Sequence, residues 1–143
     1  MNRQQAAGVL RKVAAFQPNQ RLDQLTADAW AEALANIDYH DALDAVTTVA
    51  TAPPPEFGAA PIFIQVRDII AEVARVRRQR VADRKHLVEP PRETADDPAA
   101  YQRWLAASSR AMEDRDWTPP KQVEQPTRPT QALVQRLADR RAM

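Results

Sequence analysis

Cysteine is missing from all 143 residues, which excludes a disulfide framework and any thiolate metal site. Glycine is nearly missing too: Gly8 and Gly58 are the only two, so there is no glycine-rich phosphate loop, and neither Gly-Lys-Ser nor Gly-Lys-Thr occurs. An ATPase activity of the chain's own is excluded on that ground. His40 and His86 stand far apart and form no ligand set, and no serine sits in a nucleophile-elbow context. General acid or base chemistry needs converging partners that the sequence does not supply, so the chain is read as a non-enzyme without cofactor or metal. No apolar run approaches the roughly 20 residues of a membrane span, and the first residues lack the apolar core of a signal peptide. The expected compartment is the cytoplasm, with no membrane partner.

Twelve prolines and few β-branched runs, set among abundant Ala, Arg, Gln and Asp, point to helices separated by proline-marked linkers. The expected fold class is all-α. It is a small helical bundle of about four helices over residues 1–88, followed by a proline-linked, helical C-terminal extension over 89–143.

In chain order, Asn2 caps a first helix with Val9, Leu10, Val13 and Ala14 on its apolar face, and Pro18 marks its end. Phe16 is positioned to staple that face to the next helix, and Leu22 and Leu25 are expected to anchor the connection. Thr26 caps a second helix, whose Trp30, Ala33, Leu34 and Ile37 recur at i, i+3, i+4 and i+7. Trp30, the largest side chain there, reads as core. Asp38 caps a third helix bearing Tyr39, Ala42, Leu43, Val46 and Val49, stopped by Pro53, Pro54 and Pro55. With almost no linker between them, the second and third helices are expected to form a tight hairpin, apolar face to apolar face. Asp38, Asp41 and Asp44 read as a solvated acidic face at a helix N-terminus. After a turn at 52–60, Pro61 to Ile64 lead into a fourth helix that buries Val66, Ile69, Ile70 and Val73.

The net charge of +1 hides a gradient. Residues 1–66 hold four basic and seven acidic side chains, whereas residues 67–88 hold seven and three. Arg75, Arg77, Arg78, Arg80, Arg84 and Lys85 dominate the end of the fourth helix, which is expected to outrun the core into solvent. Two readings stand: phosphate contacts to nucleic acid, or a solvated helix end in which Arg75, Arg78 and Asp83 pair locally with Glu72 and its neighbours.

Asp97 and Pro98 open a further helix with Tyr101, Trp104, Leu105, Ser108 and Met112 on one side, and Trp117 follows it. A second linker, 118–130, leads to a short helix over 131–141 with Leu133, Val134 and Leu137 as its apolar side. Isolated helices of that length are marginal in water. Tyr101, Trp104, Leu105, Trp117, Leu133, Val134 and Leu137 are therefore candidate anchors for a partner protein, unless these helices fold back to complete the core.

Trp30 with Leu34, the Asp38-Tyr39 turn, Ala42, Ala45 and Val46, then Pro61 ahead of Asp68 and Ile69, form an ordered set of features. Over roughly residues 5–75 it resembles the phage helicase loader and inhibitor family. The resemblance implies a replication adaptor that binds a hexameric replicative helicase of the DnaB type in a bacterial host cell. It implies control of the helicase's loading or activity, delivery to an origin-binding initiator, and a partner contact made by the C-terminal part. The alternatives are a DNA-binding accessory protein using residues 75–85 and a small inhibitor of a host protein.

Overall fold

The computed structural model describes residues 1–53, 63–94 and 97–120. Helix α1 (Arg3–Phe16) starts where Asn2 closes a reciprocal capping box: its side chain accepts from the Gln5 amide at 2.8 Å, and Gln5 Oε1 accepts from the Asn2 amide at 3.0 Å. Its buried face is Ala6, Val9, Leu10 and Val13. Helix α2 (Gln24–Ala33) begins one turn earlier than the sequence suggests. Asp23, not Thr26, is the cap, accepting from the Thr26 amide at 2.7 Å, and hydrogen bonding from the Thr26 side chain, with that amide bond second, holds the Asp23 carboxyl below its ordinary range. Helix α3 (Tyr39–Thr51) is capped by Asp38, which accepts from the His40 and Asp41 amides. Helix α4 (Val66–Arg84) starts where the Asp68 carboxylate accepts from the Gln65 amide at 2.8 Å. After 3₁₀ turns at Lys85–Leu87 and Arg92–Thr94, α5 (Pro98–Met112) is capped by Asp97 with Pro98 in its first turn. The described residues contain helices and no strand, an all-α bundle as expected.

The packing order differs from the expected hairpin. Helices α2 and α3 do not face each other; each packs on α1, and α4 packs on α3. The reason lies in the short connection after α2. That helix ends at Ala33, and Leu34 and Ile37 belong to a tight turn in which the Leu34 carbonyl accepts from the Ile37 amide at 3.0 Å. The turn rotates α3 away and sends Leu34 into the core. Helix α1 thus covers both neighbours, meeting α2 through the Arg3–Asp28 ion pair and joining α3 where Lys12 Nζ donates to the Leu43 carbonyl at 2.7 Å.

Leu10, Leu34, Ile69, Val9, Val13 and Val46 are the largest fully buried side chains, each contributing about 1.5–3 kcal/mol of apolar burial. Trp30 is core as expected, at 8% exposure. Ile64, Ile69 and Val73 bring α4 into the same cluster, whereas Ile70 faces out at 38% exposure. The other expected anchors are corrected. Phe16 and Leu22 are exposed, and Leu25 is 80% exposed; the α1–α2 connection is held by polar bonds instead, the Gln17 carbonyl accepting from the Gln20 amide within it and the Gln17 side-chain Oε1 accepting from the Ile64 amide at the entry to α4.

Gly8 of α1 sits against Tyr39 at the start of α3. A Cβ there would lie 2.5 Å from the Tyr39 hydroxyl and 3.3 Å from its ring, so the helix keeps a residue that costs it about 0.5–1 kcal/mol against alanine. Gly8→Ala is expected to destabilise the fold by about 1–2 kcal/mol in urea unfolding. In a Tyr39→Phe background, which removes the nearest atom, the penalty should shrink. An equal penalty in both backgrounds would locate the effect elsewhere.

Candidate partner-binding surface

Helix α4 does not project into solvent, because arginines on one of its faces turn inward. Arg80 and Arg84 lie one turn apart and meet two different targets. Arg80 forms a two-point pair with Asp41 of α3, Nη1 to Oδ2 at 2.8 Å and Nη2 to Oδ1 at 2.6 Å. Arg84 Nη1 donates to the Met112 carbonyl at 2.9 Å and to the Asp114 carbonyl, and Nη2 donates to the Arg115 carbonyl at 3.2 Å. Those acceptors lie at and just beyond the C-terminal end of α5, where helix carbonyls lack partners and cations are favoured. Arg80 also reaches the Glu113 carbonyl at 3.2 Å.

The turn after α5 closes the arrangement from its own side. Arg115 Nη1 donates to Asp44 Oδ2 at 2.7 Å and lies 3.7 Å from Asp41 Oδ1, while Trp117 stacks beneath the Arg84 guanidinium at 5.4 Å. Met112 is buried at the α5 end. This arginine–carboxylate clasp fixes the end of α5 to α3 and α4. Asp41, expected on a wet face, is 6% exposed. The Arg80 hydrogen bonds hold its carboxyl below its ordinary value of 3.8 against the opposing effect of burial. A mixed-charge cleft of about 300 Å³ lies beside the clasp, with Asp38, His40, Arg110 and Asp116 among its lining residues.

The remaining basic side chains are partly committed as well. Arg75 pairs with Glu72 at 2.7 Å, as expected, and lowers that carboxyl; Arg77 donates to the Asn36 carbonyl at 3.2 Å; and Gln79, not a basic residue, bonds Asp83. Arg78 and Lys85 are exposed and outside any such bond among the described residues. The six candidate phosphate contacts are therefore not one open cationic face.

Of the candidate partner anchors, Tyr101 and Leu105 are 38% and 39% exposed and Trp104 is half-buried, its ring 5.9 Å from that of Tyr101. Together they give α5 an accessible aromatic and aliphatic strip while its far end is held by the clasp. Trp117 belongs to the clasp. Leu133, Val134 and Leu137 lie outside the described residues. The signal that could have revealed the clasp is a match of spacings: Asp41 and Asp44 at i, i+3 on α3, and Arg80 and Arg84 at i, i+4 on α4. Among the described residues, no three histidine, aspartate or glutamate side chains are grouped to hold a metal, and no helix is long and apolar enough to cross a membrane.

A family model for the N-terminal domain of a phage helicase loader and inhibitor matches residues 1–57. The match spans α1, α2 and α3 and ends before α4. No curated protein and no solved structure matches the chain.

Two outcomes test the clasp. Asp41→Ala strands a guanidinium and is expected to cost about 3–5 kcal/mol by chemical denaturation, and Asp41→Leu with Arg80→Met should cost less than the sum of the single changes. Because the folded-state pKa of Asp41 lies below 3.8, its stabilisation is complete above that value and is lost as pH falls through the lower folded value. Stability should therefore decline below pH 3.8, and Asp41→Asn should flatten that part of the profile.

Proposed function

From a front segment that matches a helicase loader and inhibitor domain, we propose that this protein is a non-enzymatic replication adaptor. It binds a hexameric replicative helicase of the DnaB type in the bacterial cytoplasm and controls that helicase's loading or activity. The observation that carries the reading is the family match over α1 to α3. The exposed strip on α5 supports it, since Tyr101, Trp104 and Leu105 offer the aromatic and aliphatic anchors that dominate protein interfaces.

In this reading the bundle is a rigid mount and α5 presents the contact. The clasp sets the angle at which the strip leaves the bundle, which lowers the ordering cost of binding. Leu133, Val134 and Leu137 supply further apolar side chains for contact later in the sequence. Two modest contacts on one chain then combine through effective concentration, and each can be released separately, as loading requires. Delivery to an origin-bound initiator would use surface left free by the helicase.

Size-exclusion chromatography with light scattering, on this protein mixed with a purified hexameric replicative helicase, should show comigration at a defined ratio. Trp104→Ala with Leu105→Ala should abolish comigration while leaving the helical circular dichroism signal intact. Separate elution of the wild-type protein and the helicase would defeat the proposal.

A further inference from the structure

A second surface runs along α4 beside the clasp. Arg67, Ile70, Ala74 and Arg77 with Arg78 follow one another at helical spacing, so they form a single stripe, apolar in the middle and cationic at both ends. Ile70 is the only one of α4's expected core residues that faces out, at 38% exposure. Beside the stripe, the end of α2 and the turn after it contribute Ala33 and the half-buried Ile37, which with Ile70, Ala74, Arg77 and Arg78 line a groove of about 400 Å³; Arg67 lies outside that lining, one turn before Ile70. That is within the ~300–1,000 Å³ range of sites that take specific ligand groups.

We infer that this groove is a docking site for an acidic amphipathic helix of the helicase partner, laid along α4 with apolar side chains over Ile37 and Ile70 and carboxylates toward Arg67 and Arg78. The inference rests on the proposed helicase-binding function and adds a contact on the bundle itself. Charge selects the occupant. Arg78 forms no hydrogen bond or ion pair among the described residues, Arg77 spends one donor on the Asn36 carbonyl, and Arg67 reaches only its neighbour Asp68, at 3.8 Å. Glu113 also lines the groove, which leaves two guanidinium groups against one carboxylate at that end. Segment 131–141 of this chain carries Arg136, Arg140 and Arg141 against Asp139, so it brings like charge to like. A second copy would do the same, since a two-fold contact sets the Arg67 end against the other copy's Arg77 and Arg78 end. An acidic helix meets both the apolar centre and the cationic ends, the helix-in-groove mode of recognition.

The test measures binding of the full-length chain to a purified hexameric replicative helicase by fluorescence anisotropy. The variants are Ile70→Asp, which places a charge at the apolar centre, and Arg78→Glu, which reverses an exposed end charge without touching the core. Each is expected to weaken binding at least ten-fold, with unchanged circular dichroism for Arg78→Glu. Helicase binding that survives both variants would overturn the groove and leave the adaptor function standing. Tighter binding in Ile70→Asp would mean that the chain's own apolar tail competes for the groove, and tighter binding in Arg78→Glu that the occupant is basic; either also overturns it. If the wild-type chain binds no helicase, the adaptor reading falls, and a synthetic glutamate–leucine amphipathic peptide decides the groove separately. Shifts of the 33–37 and 70–78 amide resonances with that peptide, but not with its lysine counterpart, would uphold an acidic-helix groove. Equal response to both peptides, or to neither, would end it.

Discussion

One two-point ion pair, Arg80 to Asp41, decides the course of the chain after the bundle core is complete. Taking both groups out of water is costly, and a pair in that position is retained only when its remaining donors are used. Arg80 uses one on the Glu113 carbonyl, and Arg115 approaches Asp41 from the far side. The pair therefore links three parts of the chain that are far apart in sequence: the start of α3, the second half of α4 and the turn after α5. Remove it and the α5 end keeps the Arg84 bonds to its carbonyls, the Arg115–Asp44 pair and the burial of Met112, but a guanidinium is left without its carboxylate between α3 and α4.

The rest follows from α1, which receives both α2 and α3. Close approach at Gly8 allows Tyr39 to lie against its backbone, and the Lys12 bond to the Leu43 carbonyl fixes the same pair of helices farther along. A bundle so fixed presents two surfaces of different character: a strip on α5 with Tyr101 and Leu105 exposed, and a groove where Ile37 and Ile70 meet the arginines of α4. Two separate surfaces on one rigid body can act together on a single partner, since neither contact needs to be tight by itself.

The helices and their starts were largely legible in the sequence, because Asn2, Asp38 and Asp97 act through local backbone chemistry that spacing reveals. Trp30, Leu10, Val13, Val46 and Ile69 were legible as core for the same reason: helical periodicity is a property of one segment. Pairing between helices was not. Because α2 stops at Ala33 and does not run on to Ile37, a supposed hairpin became two helices sharing α1. The sequence marks Asp41 as part of a wet acidic face and Arg80 as either a phosphate contact or a solvated helix end, because charge on a surface and charge in a pair look alike until the fold brings them together. The family resemblance was legible through its core residues. The candidate site was legible only in part: Tyr101 and Leu105 stand exposed, while Trp117 and most of the arginines proved to be engaged within the molecule.

The family match ends before α4, yet the apolar side of α3 needs α4 to cover it. Ala45 and Val46 share a cluster with Ile64, Ile69 and Val73, which lie beyond the matched segment. The matched segment and the segment that builds the buried cluster are thus of different lengths. On the ribosome, α1 to α3 emerge first with an uncovered seam, and the bundle closes only once the chain has emerged past Arg84. Whatever sequence follows α3 in a chain built on the same three helices must supply an equivalent cover, free to diverge in charge on its outer side while constrained in apolar volume on its inner one.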